Sequence, residues 1–384
     1  MYKSCSEMEI KAALYNLAAA HIDNINHQSK PGYPLGMEPA SSTNQKVLGD
    51  QEVKAHVLLL ATERAYIMMT AIEGQRRTWA DDPIAAISDG VCSPVSTFLK
   101  DDPTKLAKVR EKRFRVINCL DLVDQLVERM IFETIPTHLK KQFPAVPALL
   151  GLGTSPTINQ VVGGRYEQIS KENPLATPFA GDVKGWDAGV SAQSIHAGMR
   201  VAVTLCGAAG TLWEAAAHTW CDLRVHCAYQ VNGYLYAKNR RGQMPSGTML
   251  TTWLNCFIRT ICASLTGARA CILLGDDCVE WHVGKTLEDI IDAYARLGMT
   301  IRDATFADHE SFNFCSHTYR KINGTWEATL DQWAKAMFKL LTHKTANPAA
   351  IHGVLDALSN HSVSMRLQFL KALLATFASP ITSN

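Results

Sequence analysis

The sequence predicts a helix-rich α+β protein, and three observations carry that expectation. Apolar residues recur at helical spacing through several long stretches, of which 51–74 and 118–139 are the clearest. The run Cys271–Leu274 is too short for such a helix and stops at Gly275, Asp276 and Asp277, as a buried strand entering a tight turn would. From Leu330 on, Leu330, Trp333, Ala334, Met337, Phe338 and Leu341 share one helical face. With 384 residues, the chain has room for two or three domains or for one elaborated enzyme domain.

The elements follow in order. Residues 1–25 read as a helix, and NHQSKPGYPLG (26–36) as a loop in which Pro31 and Pro34 fix φ. A helix over 51–74 is expected to end at Gly74. Within 118–139, Leu122, Val123, Leu126, Val127 and Met130 form a wide apolar face. Further helices are expected over 189–209, 247–267 and 285–298. The second of these is rich in β-branched residues, so tertiary packing must hold it. The strand near 271 and its turn read as a hairpin. No internal repeat or low-complexity linker interrupts the chain, and pattern alone suggests a boundary near residue 320.

A formal net charge of +2 demands no nucleic-acid partner, so any such surface comes from local clustering. At 47% hydrophobic and 19% charged residues the composition is that of an ordinary globular protein. Eleven cysteines without regular spacing point to reduced, mostly buried thiols rather than a disulfide framework. The opening MYKSCSEMEIKAALYNL scatters charge where a signal peptide would have an apolar core. A bilayer span of about eighteen apolar residues is also missing. A soluble, cytoplasmic protein is expected.

The carboxylates raise the chemical question. PFAGDVKGWDAGVS places Asp182 after an apolar approach and Asp187 five residues later, and Asp276 adjoins Asp277. Neighbouring carboxylates at strand ends raise each other's pKa and are poorly solvated. A divalent cation removes that difficulty, and hard carboxylate oxygens suit Mg²⁺. Taken alone, each pair reads more readily as an Asp-rich turn than as a metal site. Order and context decide between the two.

Four stretches in fixed order supply that context: KVREKRFRVI (108–117), DVKGWD (182–187), PSGTMLTTWLN (245–255) and GDD (275–277). Together they resemble the RNA-dependent RNA polymerases of positive-strand RNA viruses. In finer detail, VREKRFR followed by DLVDQLVERMIF, FNFCSH (312–317) and GDDCVE are similar to the sobemovirus, polerovirus and barnavirus group. The resemblance covers roughly residues 29–320.

The resemblance implies a right-hand polymerase. Fingers would occupy 1–175, with some palm helix near 118–139, a palm with a finger insertion 176–320, and a small helical thumb 321–384. Asp182 and Asp276 would be the main ligands of two Mg²⁺ ions, with Asp277 assisting and Mn²⁺ able to substitute. Asp187 and Asn255 would read the ribose 2′-hydroxyl, the group that marks an RNA substrate. Ser246, Gly247 and Thr251 would form the loop and helix start that hold the incoming nucleotide and the template. Glycine permits close backbone approach, and the hydroxyls and amide can pair with the sugar or with Asp187.

FLKDDPTKLAKVREKRFR (98–115) has seven basic and three acidic residues and resembles the finger motif that lines the nucleotide tunnel. Arg113 and Arg115 would meet the triphosphate, and Lys100, Lys108 and Arg110 the phosphates or template, because the guanidinium fork matches phosphate oxygens. A solvated helix face is the alternative for this run. SKPGYP (29–34) is similar to the template-entrance loop. FNFCSHTY resembles the primer grip, where Phe312, Phe314 and Tyr319 serve equally well as core and where Cys315 with His317 implies no metal. Where the group carries a lysine that protonates pyrophosphate, this chain offers Arg302, a poor general acid. His218, Cys221, His226 and Cys227 have zinc-ligand chemistry without zinc-site spacing and read as core groups.

The implied activity is template-directed transfer of nucleoside triphosphates to an RNA 3′-hydroxyl with release of pyrophosphate. The implied partners are template, nascent strand and NTPs, with a genome-linked protein as candidate primer. The implied setting is the host-cell cytoplasm, at the periphery of membrane replication sites. The rivals are a reverse transcriptase-like polymerase, which would carry an aromatic gate in place of Asp187, and a catalytically inactive palm-fold RNA-binding protein.

Overall fold

Helices and hairpins alternate through a computed structural model that describes residues 5–37, 42–100, 103–104, 106–342 and 348–377. The strands are β1 (Val95–Leu99), β2 (Val116–Cys119), β3 (Ala176–Val183), β4 (Ala228–Val231), β5 (Tyr234–Ala237), β6 (Ala270–Leu274), β7 (Asp277–Val283), β8 (Ile301–Phe306), β9 (Ser311–Phe314), β10 (His317–Ile322) and β11 (Thr325–Leu330). The longer helices are α1 (Glu7–His21), α2 (Gln51–Thr70), α3 (Leu122–Phe132), α4 (Pro156–Glu172), α5 (Ala192–Leu205), α6 (Leu212–Val225), α7 (Thr251–Leu265), α8 (Leu287–Arg296), α9 (Trp333–Leu341), α10 (Pro348–Ala357) and α11 (Val363–Phe377). The chain divides into two units. The first comprises 1–100, 115–138 and 185–261, and the second 101–114, 139–184 and 262–384.

In the first unit α1, α2, α3 and α6 pack on one another. Small buried residues, Ala18, Ala61 and Ala65, let their axes approach. The Phe132 ring lies against Trp213, Trp220 and Trp253 at centroid distances of 6.1, 5.5 and 5.9 Å. The expected apolar face of α3 is buried throughout, but so are two carboxylates on the same helix, Asp124 and Glu128. Asp121 caps that helix and accepts from the Asp124 amide at 3.1 Å. Arg64 reaches Asp121 at 3.0 Å and Asp124 at 2.8 Å, and Arg224 reaches Asp124 at 3.0 Å. Burial acts to raise the Asp124 carboxyl, yet Arg224 and Arg64 hold it below its ordinary value. A sheet in the order β2-β1-β4-β5 completes the unit.

The second unit is built on an antiparallel sheet in the order β6-β7-β3-β8, with α8 packed on β8. A three-stranded sheet, β11-β10-β9, packs against α4. Tyr166 stacks on Phe312 at 4.0 Å, and Phe312 on Tyr319 at 4.7 Å. The three C-terminal helices enclose Leu340, Leu358, Phe369 and Leu373.

Several boundaries differ from expectation. The helix over 51–74 stops at Thr70, and the Ile72 amide donates to the Gln75 side chain at 3.2 Å to start a second helix, Glu73–Asp81. Gly74 therefore lies inside a helix. The start of 118–139 belongs to β2, and its remainder divides after α3 into Thr134–Lys141. Residue 320 lies within β10, because the hairpin β10–β11 turns at Asn323–Gly324, both with positive φ. All eleven cysteines are free thiols. Among the described residues no single helix is long and apolar enough to cross a membrane.

Candidate active site

In the second unit, β3 and β7 pair from Ala176 opposite Val283 to Ala180 opposite Val279, and β6 and β7 close with Leu274 opposite Asp277. Gly275 has φ +67, the positive value that a type II′ hairpin asks of its first central residue. The two aspartates therefore differ: Asp276 is half-buried in the turn, and Asp277 opens β7 exposed. A register shift between Ala180 and Asp182 re-aims β3, so that Asp182 faces Arg302 on β8. Asp182 and Asp277 line one cleft of about 180 Å³ together with Asp303, Asn313 and Asp331. Neither Asp303 nor Asp331 was visible as a site residue in the sequence, since no motif marks them.

Arg302 donates through Nε and Nη2 to the Asp182 carboxylate. Its permanent charge thus sits on the acid itself. Among the described residues, no group of three or more His, Cys, Asp or Glu side chains stands in a metal-holding arrangement. The donors that do line the cleft are carboxylate and amide oxygens, hard ligands of the kind Mg²⁺ takes.

In the first unit, the segment before α7 runs alongside residues 187–190. The Gln243 amide donates to Val190 O at 2.7 Å and the Met244 amide to Asp187 O at 2.8 Å. This alignment brings Ser246 Oγ to the Asp187 carboxylate, to which it donates. The Asn118 amide on β2 donates to Ser246 O at 2.9 Å. Gly247 follows with φ +116, and a Cβ there would lie 2.2 Å from Asn118 O, so only glycine fits. Thr251 Oγ1 donates to Thr248 O at 3.0 Å and to Pro245 O at 3.3 Å, which fixes the start of α7. One turn on, Asn255 is 3% exposed and its Oδ1 has no hydrogen-bond partner among the described residues. A buried acceptor without a partner is expensive to keep unless a ligand or water completes it.

The basic residues are spread between the units. Lys108, Arg110 and Arg113 lie exposed on or beyond the short helix Leu106–Arg110 of the second, with Arg113 paired to Glu111 at 2.5 Å. Lys100 and Arg115 belong to the first, where the Lys100 amide donates to Arg115 O at 2.9 Å. Asp101, Asp102 and Lys105 of the same run lie outside the described residues. From SKPGYP, Lys30 stands over the Phe98 ring at 5.1 Å.

Phe312, Phe314 and Tyr319 are core, and His317 Nδ1 lies 2.8 Å from Cys315 O. His226 has both ring nitrogens on carbonyls, Ala80 O at 2.9 Å and Lys238 O at 2.8 Å.

The family model described as "Viral RNA-dependent RNA polymerase" matches residues 9–378. Among curated relatives, the replicase polyprotein P2AB of Southern bean mosaic virus is 31% identical over 329 residues, covering 83% of this chain and 32% of the relative. The replicase polyprotein P2AB of Cocksfoot mottle virus is 28% identical, covering 84% and 33%. Protein P1-P2 of Pea enation mosaic virus-1 is 28% identical, covering 78% and 25%. The chain thus spans about a third of the length of the first two relatives. The family match takes in the carboxylate hairpin of one unit and the Ser246 loop of the other, and the chain accordingly belongs to the viral RNA-dependent RNA polymerases.

Proposed function

We propose that this chain performs template-directed RNA synthesis for viral genome replication, transferring a nucleotide from an NTP to an RNA 3′-hydroxyl and releasing pyrophosphate. Asp182, Asp276 and Asp277 hold two Mg²⁺ ions, which when bound acidify the attacking hydroxyl and take up charge on the leaving group. Mn²⁺ can substitute. Arg302 balances the charge of Asp182. Being permanently protonated, it contacts pyrophosphate as a counter-charge rather than as a proton donor. Asp187, positioned by Ser246, and Asn255, with its buried unpartnered oxygen, take the ribose 2′-hydroxyl. Gly247 and Thr251 shape the loop against nucleotide and template. Lys100, Lys108, Arg110, Arg113 and Arg115 meet triphosphate and template phosphates.

In this reading 1–175 are fingers, 176–320 palm and 321–384 thumb. RNA is template and product, a genome-linked protein is a candidate primer, and the site of work is the cytoplasm beside replication membranes.

The observation that carries the reading is the shared cleft of Asp182 and Asp277 at the head of the β3–β7 ladder. The test is extension of primed and unprimed RNA templates with NTPs and Mg²⁺ or Mn²⁺. Wild type incorporates, chelation stops it, and Asp276→Asn loses incorporation while still binding RNA. Incorporation by Asp276→Asn at the wild-type rate overturns the assignment. Equal use of dNTPs points to a reverse transcriptase, and no incorporation by wild type to an inactive RNA-binding palm.

A further inference from the structure

Beneath the Ser246–Thr251 loop lies a carboxylate that the proposed chemistry does not use. Glu128, on α3, is 1% exposed. Its Oε2 accepts from the backbone amide of Met249 at 3.2 Å, and its Oε1 from Trp220 Nε1 on α6 at 3.0 Å. The loop is thus held at two points. The Asn118 amide grips Ser246 O just before Gly247, and Glu128 grips the Met249 amide just after it. The first contact is on Ser246 itself, the residue that donates to Asp187, and the second lies three residues on.

We propose that Glu128 is a positioning residue for ribose selection: its ionised carboxylate clamps the loop so that Ser246 holds Asp187 ready for the 2′-hydroxyl. This inference rests on the ribose-selecting role given above to Asp187. Both oxygens of the carboxylate accept from fixed N–H donors. A proton or an amide NH₂ on either oxygen therefore meets a donor instead of an acceptor, and one grip is lost. The charged groups that face Glu128 are Arg224 on α6, which favours ionisation, and Asp124 on its own helix, which opposes it. Burial outweighs the arginine and pushes the Glu128 carboxyl up to about 7, so the clamp changes state near neutral pH.

The test compares NTP with dNTP use, as the ratio of kcat/KM for ATP over dATP on one primed template, from pH 6 to 8.5. Taking the ratio cancels the ionisation of the 3′-hydroxyl, which both substrates share. In wild type the ratio rises about tenfold through pH 7. In Glu128→Gln it is low and flat, with ATP incorporation still measurable and the loss expressed mainly in KM for ATP. A wild-type ratio that is high but flat with pH, or a Glu128→Gln ratio that tracks wild type, overturns the clamp while leaving the polymerase reading standing. Absence of ATP incorporation by wild type overturns that reading and this inference with it. The wild-type pH profile needs no variant, so a Glu128→Gln chain that fails to fold does not protect the idea.

Discussion

The two units each set aspartates beside arginines, to opposite ends. At the start of α3 in the first unit, the capping Asp121 and Asp124 of the first turn are each 1% exposed and lie against Arg64 and Arg224. At the β3–β7 edge of the second, Asp182 and Asp276 are half-buried, Asp277 is exposed, and Asp182 meets Arg302 at the rim of an open cleft. Sealed charges cannot exchange partners without leaving an ion in a low-dielectric interior, so they act as framework. Charges on an open cleft can trade an arginine for a cation or a phosphate at small cost, so they can do chemistry. Exposure separates framework from reactive group. The residue type does not.

The sharpest way to break that comparison is to remove one carboxylate from each side. Asp182→Asn is expected to lower nucleotide incorporation by about three orders of magnitude, the few kcal/mol that a bound cation contributes. Its thermal unfolding should stay close to wild type. Asp124→Asn should do the reverse first, costing about 3–5 kcal/mol of stability in denaturant titration because Arg224 is left buried without its full counter-charge. If the two variants unfold alike, the distinction between sealed and open carboxylates fails.

A second probe sharpens the contrast through pH. The native Glu128 carboxyl is raised from 4.5 to about 7, so the folded protein binds this proton more tightly than the unfolded chain. The resulting stability is fully present below about pH 4.5 and is lost as pH rises through 7. From pH 4.5 to 7.5, wild type should therefore lose up to roughly 3 kcal/mol relative to Glu128→Gln, 2.5 pH units at 1.36 kcal/mol each. A difference that does not grow with pH would mean that the group is ionised at ordinary carboxylate pH.

Smaller effects follow on the loop and the surface. Gly247→Ala should cost about 1–3 kcal/mol from its backbone conformation alone and more from the contact with Asn118 O, with KM for NTPs rising. Arg113→Ala, whose partner Glu111 is itself exposed, should change stability by less than about 1 kcal/mol. Any rise it causes in KM for NTPs then reports the triphosphate contact and not folding.

Much of this was legible before any fold was known. The Gly-Asp-Asp hairpin announced itself because a short apolar run, a glycine and two acids form a local pattern. The α3 face and the C-terminal helices were legible because helical periodicity is also local. Two Asn-Gly turns, 232–233 and 323–324, carry a local hairpin signal, and they join β4 to β5 and β10 to β11. The buried acids of α3 were hidden. Spacing says which face of a helix is apolar, not whether arginines 57 to 100 residues away will close over the acids beside it.

By itself the sequence determined the motifs, their order, and hence the family, since each motif needs only residue type and short spacing. Tertiary structure alone decided which acids share a cleft, that Arg302 answers Asp182, that Asn255 keeps a buried oxygen unpartnered, and that Glu128 sits under the Ser246 loop. Those facts depend on burial and on partners distant in the chain. Both quantities set the energy of a charge, and neither is written into the residues around it.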